Sequence, residues 1–167
     1  MIESIPDIHD RVAFEIQQNG HAMDFLTLDK SIFRASMTSD FTYIDQVFQK
    51  LTSPQGQLFK YLEQFSDFNS IEFIISLRDS KNDWEEDGIW HDDGSRTFAF
   101  SLSLTTHSQN VDGGELHIRK KGSTQTSIIP PFEFGKILLF KTGTSGYEHK
   151  IHAVKSGRRL IIAGWCS

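Results

Sequence analysis

Cysteine is nearly absent from this chain: its 167 residues contain one, Cys166. A lone thiol forms no internal disulfide, so the composition gives no sign of an oxidising compartment. Long apolar runs are also lacking, and none approaches the ~18 residues of a membrane-spanning helix. No basic-then-apolar N-terminal stretch reads as a secretory leader. Positive charge is in deficit, with 17 Lys and Arg against 22 Asp and Glu and a formal net charge of −5. That balance leaves no cationic footprint for nucleic acid. There are only 4 prolines, and no repeat, low-complexity tract or Pro/Gly-rich linker. The expectation is a cytoplasmic protein without a nucleic-acid or membrane partner.

Hydrophobic residues make up 38% of the chain, enough for a packed core. The length suits one domain, residues 1–167. Periodicity divides it. Phe41, Ile44, Phe48 and Leu51 recur at helical spacing after Ser39 and Asp40, a capping signal. Pro54 marks a break, and Leu58, Leu62 and Phe65 resume the helical period. Val12, Phe14 and Ile16 alternate ahead of Asn19-Gly20, which predicts a strand and turn before two helices. From residue 71 the period becomes two. Strands are expected over 71–77, 97–104, 115–119, 126–129, 136–140 and 159–165, separated by Gly, Pro, Asp and Asn clusters. Helices followed by many short strands predict an α+β arrangement, with residues 1–70 as mainly helical support and 71–167 as a barrel or sandwich core.

In the 97–104 strand, Phe98, Phe100, Leu102 and Leu104 share one face, and Ala99, Ser101 and Ser103 share the other. The bulky face suits a core. The small face suits either a ligand cavity or solvent.

Of seven histidines, His91 stands out in Trp90-His91-Asp92-Asp93-Gly94. On extended backbone, residues two apart point the same way with Cα atoms ~6–7 Å apart. His91 and Asp93 can therefore reach one metal ion at ~2.0–2.2 Å, whereas adjacent Asp92 splays to the other face. A third ligand must come from elsewhere, and both His149 and His152 are available near the C-terminus.

Four segments follow one another: His91-Asp92-Asp93; Gly113-Gly114-Glu115-Leu116; Gly135-Lys136-Ile137-Leu138-Leu139-Phe140; and His149 with Ile151, Val154, Gly157 and Arg159, closing on Trp165. In this order they resemble the 2-oxoglutarate/Fe(II)-dependent dioxygenases, especially the prolyl-4-hydroxylase-like branch, over residues ~90–165. The resemblance implies a double-stranded β-helix (jelly roll) with N-terminal helices packed on one sheet. It implies His91, Asp93 and His149 as a 2-His-1-carboxylate triad for Fe(II). The ten-residue spacing to Arg159 selects His149 over His152. Arg159 would receive the distal carboxylate of 2-oxoglutarate, since its planar guanidinium matches a carboxylate bidentately. Ser103 occupies the position where some relatives carry a cosubstrate-contacting tyrosine. With Ser101 it completes the expected cosubstrate wall.

The implied reaction consumes O2, decarboxylates 2-oxoglutarate to succinate and CO2, and hydroxylates a C–H bond, with ascorbate as an accessory reductant. The substrate is a peptidyl residue such as proline, another protein partner or a small molecule. Competing readings are a cupin-like metalloprotein that does not use 2-oxoglutarate and a non-catalytic binding module. Residues 84–88 read either as a substrate lid or as a solvated turn. Arg119-Lys120-Lys121-Gly122 reads as a charged hairpin turn, and His107 and His117 as structural or surface residues. Arg158 faces away from Arg159, and the alternative for both arginines is simple solvation.

Overall fold

The structure is a computed structural model that describes residues 6–82 and 84–167. Among the described residues up to 62 lie four helices: α1 (Pro6–Asn19), α2 (Lys30–Thr38), α3 (Phe41–Leu51) and α4 (Gln57–Leu62). The predicted strand at 12–16 is part of α1. Val12 and Ile16 sit one helical turn apart and are buried, while Phe14 between them is 61% exposed. An exposed aromatic on the outer helix face is what imitated an alternating strand. Gly20, with φ +78°, ends the helix by donating its N–H to Ile16 O. A Cβ there would also meet the Tyr147 ring at 2.2 Å. The strand that follows is β1 (His21–Phe25), which the sequence pattern did not suggest. Asp29 caps α2 through Ser31 N–H, and Asp40 caps α3 through Tyr43 N–H.

The remaining strands are β2 (Ile71–Asp79), β3 (Phe98–Ser103), β4 (Asp112–Gly113), β5 (Leu116–Lys120), β6 (Ser127–Ile129), β7 (Lys136–Lys141), β8 (Tyr147–Ile151), β9 (Val154–Ser156) and β10 (Arg158–Cys166). They form an antiparallel major sheet in the order β1-β7-β3-β10-β2. A second layer holds β6-β5-β8, with the short pair β4-β9 beside it. This is the jelly-roll layout, with helices on one sheet.

Two apolar layers result. Phe98, Phe100, Leu102, Ile137, Leu139, Leu160 and Ile162 face the helices and pack with Ile32, Ile44, Phe48, Leu58 and Leu62. Ala99, Leu138 and Phe140 turn inward to meet Leu116, Ile118 and Tyr147. The small face of β3 is therefore buried between the sheets and does not face solvent. Burying each large side chain contributes roughly 1.5–3 kcal/mol, so the helix-facing layer dominates stability.

Arg158 is not solvated. It donates to Ser36 O at 3.0 Å and to Ser39 Oγ at 2.8 Å, tying the end of α2 to β10.

Candidate metal centre and cosubstrate cavity

His91 lies in the β2–β3 connection. Its backbone makes one reciprocal pair with β8: His91 N–H donates to His149 O and His149 N–H to His91 O, both at 2.9 Å. This bridge sets the two imidazole rings 4.4 Å apart. Asp93 then returns toward the same point, with Oδ2 3.8 Å from His149 Nε2. One ligand atom from each of His91, Asp93 and His149 lies within 4.8 Å of the others.

Each imidazole has one nitrogen engaged. His91 Nδ1 is 3.1 Å from Ile89 O, and His149 Nδ1 is 3.5 Å from Thr142 Oγ1. Such outer contacts fix ring orientation and leave Nε2 for a metal. Burial pushes the His149 pKa down to about 4, so the ring is neutral near pH 7, as a ligand must be. Asp93 Oδ2 is buried without a hydrogen-bond partner among the described residues. An unpaired buried carboxylate oxygen is costly unless a cation satisfies it. The donor set and its orphaned oxygen fit a divalent ion, and two imidazoles with one carboxylate suit Fe(II).

The sequence alternatives separate here. Asp92 turns away to pair with Lys121 and to accept from Gly94 N–H. His152 stacks on His117, with ring centroids 4.3 Å apart. His107 lies near Thr106 Oγ1. Two of the 119–121 charges are engaged: Arg119 pairs with Glu148 at 2.7 Å and covers the Trp90 ring, and Lys121 reaches Asp92 and Gly143 O. The 84–88 loop is a turn with Glu85, Glu86 and Gly88 exposed, anchored on one side. Trp84 Nε1 donates to Leu77 O, and Trp84 and Glu86 line the cavity.

That cavity measures about 520 Å³ and opens on the three candidate ligands. Ile74, Leu116, Phe140, Ile151 and Trp165 make its walls largely apolar, with Ser101 among them. Ser103 lies on the same strand face, but its Oγ donates to Phe132 O at 2.6 Å and accepts from Thr105 N–H at 3.2 Å. Its hydroxyl is thus committed to backbone.

Arg159 points inward from β10 and is 2% exposed. Its Nε and Nη1 have no partner among the described residues. Burial first, then the neighbouring Arg78, lowers its pKa to about 9. Gly114 makes room for it: a Cβ there would lie 3.0 Å from Arg159 Cδ and 2.9 Å from Val154 Cγ2, at φ +74°. The Gly113-Gly114 motif thus has a packing reason.

Sequence reasoning missed Arg78, whose side chain reaches the cavity wall. The available signal was a charged residue ending the apolar run of β2, on the same face as Ile74 and Ser76.

A jelly roll with two histidines and an aspartate converging on an apolar cavity defines a metalloprotein of the cupin and oxygenase type. Residues 67–167 match the 2OG-Fe(II) oxygenase superfamily, and the chain belongs to that family. A PKHD-type hydroxylase of Prochlorococcus marinus (strain MIT 9312) is 30% identical over 97 residues, covering 58% of this chain and 41% of that protein. The chain thus spans less than half the length of that curated relative. A Pseudomonas putida prolyl-4-hydroxylase superposes with a TM-score of 0.65 at 18% identity, covering 99% of this chain and 93% of its own. A Trichoplax adhaerens prolyl hydroxylase, in complex with a hypoxia inducible factor peptide fragment, gives 0.59 at 12% identity, covering 96% and 89%. Among the described residues no helix is long and apolar enough to cross a membrane.

Proposed function

We propose that residues 1–167 act as a single oxygenase domain that uses Fe(II), 2-oxoglutarate and O2 to hydroxylate a C–H bond. His91, Asp93 and His149 hold the iron, and Arg159 receives the distal carboxylate of the cosubstrate. The observation that carries this reading is the buried Asp93 Oδ2, unpartnered and 3.8 Å from His149 Nε2, in a cavity that also has an unpartnered buried guanidinium nearby.

Bound iron would supply O2 activation coupled to decarboxylation of 2-oxoglutarate to succinate and CO2. The chain's own residues supply binding and shielding. The His91–His149 backbone bridge keeps both imidazoles on one side of the cavity. Asp93 contributes one negative charge, and Arg159 one positive charge at the far end. Apolar walls from Ile74, Leu116, Phe140 and Ile151 exclude water from the reacting groups. Ser101 contributes a small cosubstrate-facing surface; Ser103 holds the 132 backbone and supports that wall from behind.

The substrate reading favoured is a peptidyl residue, proline included, because several of the similar solved structures are prolyl hydroxylases and one holds a peptide. A small molecule is the second reading, since a cavity of about 520 Å³ accommodates one beside the cosubstrate. A cytoplasmic location and ascorbate support complete the proposal. The unpartnered Nε and Nη1 of buried Arg159 favour a protein that uses 2-oxoglutarate over a cupin-like one that does not, because a distal carboxylate would satisfy them. The retained triad counts against a non-catalytic module.

The test is succinate formation from 2-oxoglutarate by protein reconstituted anaerobically with Fe(II) and then given O2. Turnover is expected in the wild type, none in His149→Ala, and a much raised cosubstrate requirement in Arg159→Ala. Absence of both Fe(II) and 2-oxoglutarate binding by calorimetry would sink the reading.

A further inference from the structure

Arg78 and Arg159 are direct cross-strand partners in the β2–β10 register. Opposed residues on neighbouring strands have Cβ atoms ~4.5–5.5 Å apart on one face, so both guanidinium stems start side by side between the sheets. Both are buried, Arg159 at 2% exposure and Arg78 at 5%. Arg78 lines the cavity with Arg159 beside it across the strand pair, so a ligand in the cavity meets Arg78 directly.

Arg78 is only partly satisfied. Its Nε donates to Asp87 Oδ1 at 3.3 Å, longer than the ~2.7–2.9 Å of a strong charge-assisted bond. Nη1 donates to Ser76 Oγ at 2.5 Å, and the guanidinium lies 4.3 Å over the Trp84 ring. An arginine carries five N–H donors in a fork, and these contacts use two of them. Asp87 is the carboxylate paired with Arg78, while Arg159 Nε and Nη1 have no partner among the described residues, so this guanidinium pair keeps donors free for a carboxylate brought by a ligand.

We propose that Arg78 is a second receptor for the distal carboxylate of 2-oxoglutarate, which is then held between two guanidiniums on adjacent strands. The inference rests on the reading that this cavity takes 2-oxoglutarate. It assigns Arg78 a binding role that is separate from its contacts with the 84–88 loop. A role confined to holding that loop would weaken every 2-oxo acid alike. A role in carboxylate binding weakens only those with a distal carboxylate.

Calorimetric titration of Mn(II)-loaded protein separates the two. The ligands are 2-oxoglutarate and 2-oxobutyrate, which lacks the distal carboxylate. Arg78→Met is expected to raise the Kd for 2-oxoglutarate about tenfold or more, equivalent to ~1.4 kcal/mol, and to leave that for 2-oxobutyrate unchanged. Arg78→Lys, which keeps the charge without the fork and guards against loss of folding, is expected to fall between wild type and Arg78→Met. Arg159→Met should show the same selectivity as Arg78→Met. If Arg159→Met loses 2-oxoglutarate while Arg78→Met keeps wild-type affinity, the Arg78 role is overturned and the cosubstrate reading stands. Equal weakening of both ligands in Arg78→Met also overturns it. If the wild type binds neither ligand, the cosubstrate reading fails and this inference fails with it.

Discussion

Replacing Arg159 by methionine is expected to stabilise the ligand-free protein while sharply weakening its response to 2-oxoglutarate. The magnitude follows from burial. Lowering the guanidinium pKa from 12.5 to about 9 means that the charged form is disfavoured by several pH units. At ~1.36 kcal/mol per unit this is on the order of 5 kcal/mol, an upper bound on what the buried charge costs. Methionine is flexible and of similar length, so it fills the same space at a packing cost of roughly 1–3 kcal/mol. The net expectation is a gain of up to about 2–4 kcal/mol, consistent with uncompensated buried charges being costly. Urea unfolding of metal-free protein measures this directly. The same experiment with saturating 2-oxoglutarate and Mn(II) supplies the contrast. Ligand at about 100 times the wild-type Kd adds ~2.7 kcal/mol to the wild type and should add ~1.4 kcal/mol or less to the variant, whose Kd is raised at least about tenfold. The reasoning is refuted if Arg159→Met loses ~2 kcal/mol or more without ligand, as a core truncation does. It is equally refuted if the variant keeps the full 2-oxoglutarate shift.

Gly114→Ala places a Cβ 3.0 Å from Arg159 Cδ in a backbone at φ +74°. It should cost ~1–2 kcal/mol in thermal unfolding and weaken 2-oxoglutarate binding in calorimetry, because Arg159 must move. Burial pushes the Cys166 thiol up to about 12, so iodoacetamide should label it only after unfolding. The raised value also means that the native thiol stays neutral while the unfolded one ionises. Stability from this group is therefore full below pH ~9 and declines at ~1.4 kcal/mol per unit up to about 12, a slope that Cys166→Ala should lack in pH-dependent unfolding. Arg158→Ala removes two bonds to the end of α2 and should cost ~1–2 kcal/mol by urea unfolding, with metal affinity intact. His152→Ala should likewise leave Mn(II) affinity within about twofold of wild type, whereas His149→Ala should abolish it, because His152 stacks on His117 and does not face Asp93.

Much of the strand core was legible because period two is a local property. The 97–104 alternation already separated a bulky face from a small one, and β3 buries both, the first on the helices and the second between the sheets. The His-x-Asp spacing placed His91 and Asp93 on one side for the same reason. The helical first third was less readable. Phe14 on the exposed face of α1 disguised a helix as a strand, and β1 consists of five residues with no clear alternation of burial. The short β8 and β9 were hidden because their pairing, and not their composition, makes them strands.

What the sequence determined by itself was therefore most of the major-sheet strands from residue 71 onward and the His91–Asp93 pair. Both follow from backbone geometry within a few residues. The tertiary structure decided the rest. Only the antiparallel bridge to β8 brings His149 to Asp93 while leaving His152 outside. Only the β2–β10 register sets Arg78 beside Arg159, across a separation of 81 residues that no local pattern can span.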